Sequence, residues 1–132
     1  MKINETITFD DILLVPQYSE IMSRKTISLS SDLDMNRTFE LPIISSPMDT
    51  VTGATMAKAT HEAGGLGVIH RYDSIEGQCD RVRRADATTA AAIGVTGDYL
   101  DRATALIESG CDILCIDVAH GHHALMRHAP RS

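Results

Sequence analysis

Four short apolar runs constrain this chain more than any other feature: Leu41–Ile44, Leu66–Ile69, Ala91–Val95 and Asp112–Ile116. None alternates polar with apolar residues, so each is expected to be buried on both faces, as strands of a parallel sheet are. Their central residues, Ile44, Val68, Ile93 and Ile113, recur roughly every two dozen positions, the span of one strand–helix unit. Between them lie helical stretches. Val51–Ala63 carries Ala54, Met56, Ala57, Ala59 and Ala63 and meets Gly64-Gly65, an expected left-handed stop. Ser74–Ala85 opens on a weak capping signal. Asp98–Ser109 places Leu100, Ala103 and Ile107 at helical spacing, with Asp98 read as N-cap and Gly110 as terminator. Strand, helix, strand, helix in this order means right-handed crossovers and a parallel α/β sheet.

Residues 1–40 are different. Phe9, Ile12, Leu13, Leu14 and Val15 are apolar, but Pro16 interrupts them and a polar stretch follows to Phe39. This part is expected to be an extended arm lying across the sheet, with an edge strand or two around Ile27–Leu33. Residues 41–132 hold the βα units, and 1–132 form a single domain. The first βα turn, Ser45-Ser46-Pro47-Met48-Asp49-Thr50, lacks the glycine-rich loop of a dinucleotide-binding open sheet. A (β/α)8 barrel is therefore favoured, and since a whole one needs at least ~200 residues, about four units amount to its N-terminal half.

The net charge of −6 and 12 scattered basic residues argue against nucleic acid or an anionic membrane as partner. No apolar run approaches the ~20 residues that cross a bilayer. Met1–Glu5 reaches an acid at once, so no signal peptide is expected. The three cysteines, Cys79, Cys111 and Cys115, are an odd count and read as reduced thiols of a cytoplasmic protein.

In a barrel, chemistry gathers where strands end. Those positions are Ser45–Thr50, His70–Asp73, Thr96–Asp98 and Asp117–His123, four stretches that each carry polar side chains. Asp117 can accept hydrogen bonds from a ribose diol, hold a metal or an arginine, or cap a helix beginning near His120. Arg71 can meet a phosphate or pair with Asp73 or Glu76. His120, His122, His123 and His128 invite a metal reading with His70 or Asp117, but no fixed-spacing signature such as His-Glu-x-x-His occurs, and no metal site is expected. Cys111 and Cys115, four apart on one strand, are expected on one face as core thiols, and Cys79 is placed mid-helix without a fixed basic partner.

Thr8–Pro16, Ser45–Thr52, Gly64–Arg71 and Asp117–His122, in that order, closely resemble the IMP dehydrogenase/GMP reductase family over nearly the whole chain up to about Leu125. The resemblance implies a barrel that binds a purine nucleoside monophosphate, IMP or GMP, and NAD or NADP. It implies nucleotide contacts from Ser46 and Met48, and nicotinamide-cofactor contacts from Ser23, Arg24, Arg71, Asp117, Val118 and Ala119. Family chemistry uses a cysteine that attacks purine C2, on a loop after the sixth strand. No catalytic residue is expected in this stretch, since Cys79, Cys111 and Cys115 match none of the family's positions. The family can take a monovalent cation, K+, at a site also outside this stretch, and is commonly tetrameric. Ser46-Pro47-Met48-Asp49 is similar to dehydrogenases. Arg83–Thr88, running on without the CBS-domain pair usual in dehydrogenases, is similar to reductases or to dehydrogenases without the insert. The segment Arg127–Ser132 departs from the helix expected there and reads as a cut or altered end.

The leading expectation is thus an NAD(P)-dependent purine-nucleotide oxidoreductase, favouring IMP to XMP with NAD over GMP to IMP with NADPH, whose 132-residue stretch alone is inactive. Two rivals belong to other classes: a non-catalytic nucleotide-binding or assembly fragment, and a metal-dependent hydrolase built on the histidines.

Overall fold

The computed structural model describes residues 5–131; residues 1–4, including most of the segment read for a signal peptide, and residue 132 lie outside it. Its body is a four-stranded parallel sheet with strands β3 (Ile44–Ser45), β4 (Leu66–Ile69), β5 (Thr89–Ile93) and β6 (Ile113–Ile116). They follow an antiparallel hairpin, β1 (Ser31–Asp34) and β2 (Arg37–Phe39). The sheet order is β3-β4-β5-β6, each strand beside its sequence neighbour. A doubly wound sheet reverses direction at a switch point; this one does not, and it has the winding of half a (β/α)8 barrel.

Helices α1 (Ala54–Glu62), α2 (Ile75–Ala85) and α3 (Tyr99–Glu108) cross over between the strands. α1 ends because Gly64 takes φ +89°, where its N–H reaches the His61 carbonyl at 2.8 Å. α2 starts at Ser74, whose hydroxyl accepts from the Gly77 N–H, and stops at Asp86 in the left-handed region. Only Asp86, Ala87 and Thr88 separate α2 from β5, so no insert interrupts the unit. α3 stops before Gly110, at φ +91°.

Alternation along the strands sorts side chains into two clusters. Facing the helices are Ile69, Ala91, Ile93, Val82, Ala85, Cys79 and Leu106. On the opposite face Leu66, Val68, Ala90 and Ala92 meet Ile113, Cys115 and Phe39. Phe39 arrives from β2, so the hairpin closes the inner face near the strands' N-terminal ends, with Arg37 Nη2 donating to the Asp112 carbonyl at 3.3 Å. α1 lies so close to β4 that a Cβ at Gly67 would collide with Ala57.

Several sequence expectations are corrected. The hairpin spans 31–39, not 27–33. The arm covers little of the sheet: residues 5–36 are exposed, Phe9 and Leu14 at 93% and 97%. The first strand of the parallel sheet, β3, begins only at Ile44, since the Ile43 N–H turns back to the Leu41 carbonyl at 2.8 Å instead of joining the ladder. The third occupies 89–93, two residues earlier than its apolar run suggested. Asp98 precedes α3 but makes no capping bond, because its carboxylate is taken by Arg102. Cys111 and Cys115 face opposite sides: Cys111 precedes β6, where alternation does not apply, and joins the helix-side core. Residues 124–128 do form a helix, α4 (Ala124–His128), which runs on as a 3-10 turn through 129–131.

Candidate functional site at the C-terminal strand ends

β4, β5 and β6 end side by side, and the residues that follow them enclose a cavity of about 210 Å³. Arg71 comes from the β4 loop, Gly94, Val95, Thr96 and Asp98 from the β5 loop, Val118 and Ala119 from the β6 loop, and Arg102 from α3. Asp117 continues the ladder by one bond, its N–H reaching the Ile93 carbonyl at 2.9 Å. Its side chain turns to Arg71, whose Nε lies 3.6 Å from Oδ2. That is an ion pair but too long for a hydrogen bond, and Arg71 Nε is buried without a hydrogen-bond partner. The Arg71 guanidinium also lies 5.4 Å from the Tyr72 ring centre. A long ion pair with an unsatisfied donor suits a site that a ligand completes.

The other carboxylates here are tightly held. Asp98 accepts from Arg102 Nη2 at 2.8 Å; that bond, helped by the Arg102 and Arg71 charges against some desolvation, holds its carboxyl below the ordinary value. Asp73 bonds Arg81 and the Ser74 N–H, which lower its carboxyl too, with His70 adding a smaller pull. His70 is buried at the end of β4, with Nδ1 lacking a partner.

At the end of β3 the chain turns tightly. The Ser46 carbonyl accepts from the Met48 N–H at 2.8 Å and from buried Thr52 Oγ1 at 2.6 Å. The Thr52 carbonyl in turn accepts from the His70 N–H at 3.3 Å, tying this turn to β4. Ser46 and Met48 are exposed beyond the strand end.

Of the residues singled out from sequence, Arg71, Asp117, Val118 and Ala119 are thus brought together, and Ser46 and Met48 lie at the same C-terminal end of the strands. Ser23 and Arg24 are not brought there: Ser23 caps a single 3-10 turn, Arg24–Thr26, on the exposed arm. Asp117 is not a helix cap; that place falls to His123, whose Nδ1 accepts from the Leu125 N–H. His120 and His122 meet edge-on at 6.5 Å, and among the described residues no three His, Cys, Asp or Glu side chains gather as metal ligands would. No cysteine lines the cavity. Burial pushes the Cys111 and Cys115 thiols up, away from the reactive thiolate. Thr52, Gln78 and Arg102 were missed by sequence reading; the signal available was a polar residue within an otherwise apolar helical stripe, Gln78 beside Cys79 and Val82, Arg102 beside Ala103 and Leu106.

A parallel half-barrel that presents its polar loops at the strand C-terminal ends defines a class of ligand-handling α/β proteins. Within it, the chain belongs to the IMP dehydrogenase / GMP reductase domain family, whose profile matches residues 6–129. It is 43% identical over 93 residues to an inosine-5'-monophosphate dehydrogenase of Nitrosopumilus maritimus, covering 70% of this chain and 20% of that protein. It is 44% identical over 80 residues to a GMP reductase of Leishmania donovani, covering 61% and 16%. The crystal structure of inosine 5' monophosphate dehydrogenase from Legionella pneumophila superposes with a TM-score of 0.84 at 37% identity, over 95% of this chain and 39% of that one. The chain therefore spans well under half the length of these relatives. Members of the family are oxidoreductases, and dehydrogenase names dominate among the relatives.

Proposed function

We propose that this chain is the part of a purine-nucleotide oxidoreductase that holds the nicotinamide dinucleotide, with IMP dehydrogenase favoured over GMP reductase. The observation that carries the reading is the pairing of Asp117 with Arg71, which lines the cavity: a carboxylate able to accept from ribose hydroxyls beside a buried arginine N–H that makes no hydrogen bond. These donors and acceptors fit NAD or NADP, which when bound supplies the hydride acceptor or donor. Asp117 would hold the ribose, Arg71 an anionic or carbonyl oxygen, and Val118 and Ala119 the apolar wall. Ser46 and Met48, at the same end of the strands, would contact IMP or GMP. Ser23 and Arg24 enter this reading only if the arm moves to that end. The relatives named for IMP dehydrogenase, and the Ser46-Pro47-Met48-Asp49 turn, support the dehydrogenase; the three-residue α2–β5 link supports a reductase or a dehydrogenase without the regulatory insert.

With no cysteine at the cavity, the 132-residue chain alone should bind but not turn over. Titration calorimetry with NAD, NADPH, IMP and GMP, followed by turnover assays on the same sample, tests this. Saturable dinucleotide binding without product is the expected result. Absence of binding at millimolar dinucleotide, or any turnover by a mass-verified 132-residue chain, would sink it.

A further inference from the structure

Gln78 and Arg102 are polar residues set into the apolar stripes of α2 and α3, and both are buried, Gln78 completely. Burying such groups costs free energy unless they are bonded, and a fully bonded network holds its neighbours in one arrangement. Here the bonds all lead to the C-terminal strand ends and the loops that follow them. Gln78 Nε2 donates to the Ala92 carbonyl at 2.9 Å and the Ile69 carbonyl at 3.4 Å, close to the C-terminal ends of β5 and β4. Gln78 Oε1 accepts from Arg102 Nη1 at 2.8 Å. Arg102 Nη2 donates to the Asp73 carbonyl at 3.1 Å and to Asp98 Oδ2 at 2.8 Å. Asp73 ends the loop that carries Arg71, and Asp98 lines the same cavity as Arg71.

We propose that Gln78 and Arg102 are positioning residues that fix the two loops bearing Arg71 and Asp98, and so set the shape of the cavity between Arg71 and Val118. The two arginines then divide their work. Arg102 spends its terminal nitrogens on Gln78, Asp73 and Asp98, and acts as scaffold. Arg71 keeps a buried Nε–H without a hydrogen bond, 3.6 Å from the Asp117 carboxylate, and lines the cavity. A lysine at 102 preserves the charge but not the planar fork that reaches three acceptors at once. The functional consequence rests on reading the cavity as a dinucleotide site; the positioning does not.

The test uses the full 132-residue chain with Gln78→Met and the milder Arg102→Lys, compared by amide hydrogen exchange and by the NMR signal of the Arg71 Nε–H, assigned through its loss in Arg71→Lys. Amides of residues 70–74 and 96–99 should exchange at least about tenfold faster in the variants while those of α1 keep their rates. The Arg71 Nε–H signal should shift or broaden, and NAD, used as probe, should bind about tenfold more weakly, the equivalent of losing one charge-assisted hydrogen bond. Unchanged loop exchange in folded variants, or acceleration spread equally over α1, would overturn the proposal, since a merely structural pair loosens the whole domain. If the unaltered chain does not bind NAD, the dinucleotide reading fails by itself, and the exchange pattern still decides the positioning claim.

Discussion

Arg71 and Asp117, which follow strands two places apart in the sheet, meet over Gly94, where a Cβ would touch the Arg71 Nη1 at 3.7 Å. Their side chains are about one-third exposed, and their 3.6 Å separation leaves the pair incomplete. An exposed pair of this kind contributes ~0–1 kcal/mol to stability. Asp117→Ala should therefore shift the denaturation midpoint little. It should weaken dinucleotide binding by about 10- to 100-fold if the carboxylate accepts from the ligand. Calorimetry and urea unfolding on one preparation separate the two effects. A variant that binds as tightly as the parent would remove Asp117 from the site.

Gly67 is required by packing rather than by backbone angle. Its missing side chain lets Ala57 of α1 rest on β4, and a Cβ there would press into the Ala57 backbone. Gly67→Ala should cost ~1–3 kcal/mol, the usual penalty for overpacking a tight core. Gly121→Ala, where a Cβ meets nothing within 4 Å, is the control. Equal unfolding midpoints for the two variants would contradict the packing argument.

Asp98 makes stability depend on acid. Arg102 holds its carboxyl below the ordinary 3.8. A group depressed on folding contributes fully above its unfolded value and loses that contribution as pH falls through the folded one. The stability difference between the parent and Asp98→Asn should therefore be constant from neutral pH down to about 4 and shrink below it. A difference that grows on acidification would have the wrong sign for this pair.

The arm and the open sheet should make the isolated chain associate with itself. Phe9, Leu13, Leu14 and Met22 are all more than nine-tenths exposed, and among the described residues β3 and β6 each leave one edge without a strand partner. Unpaired edges and contiguous apolar surface favour association. Sedimentation velocity should show concentration-dependent oligomers, reduced when Leu13 and Leu14 are both changed to Ser. A monodisperse monomer across the concentration range would count against it.

The parallel α/β architecture was legible because it is written locally. Apolar runs such as Leu66–Ile69, the αL stop at Gly64 and the cap at Ser74 each depend on near neighbours in the chain. The polar strand ends were legible for the same reason, and motif resemblance linked Arg71 to Asp117 through Ala119. What the chain order could not specify was direction and partnership over distance. Cys111 and Cys115 look alike in spacing, yet lie on opposite faces because one sits just outside the strand. Asp98 looks like a cap, but Arg102, four residues on, takes its carboxylate; Gln78 and Arg102, 24 residues apart, meet only once α2 and α3 pack on the same sheet. Local periodicity determines which residues become strand or helix, because that depends on burial of repeating faces. Which polar groups end up bonded to one another depends on how those elements pack, and only the tertiary structure decides it.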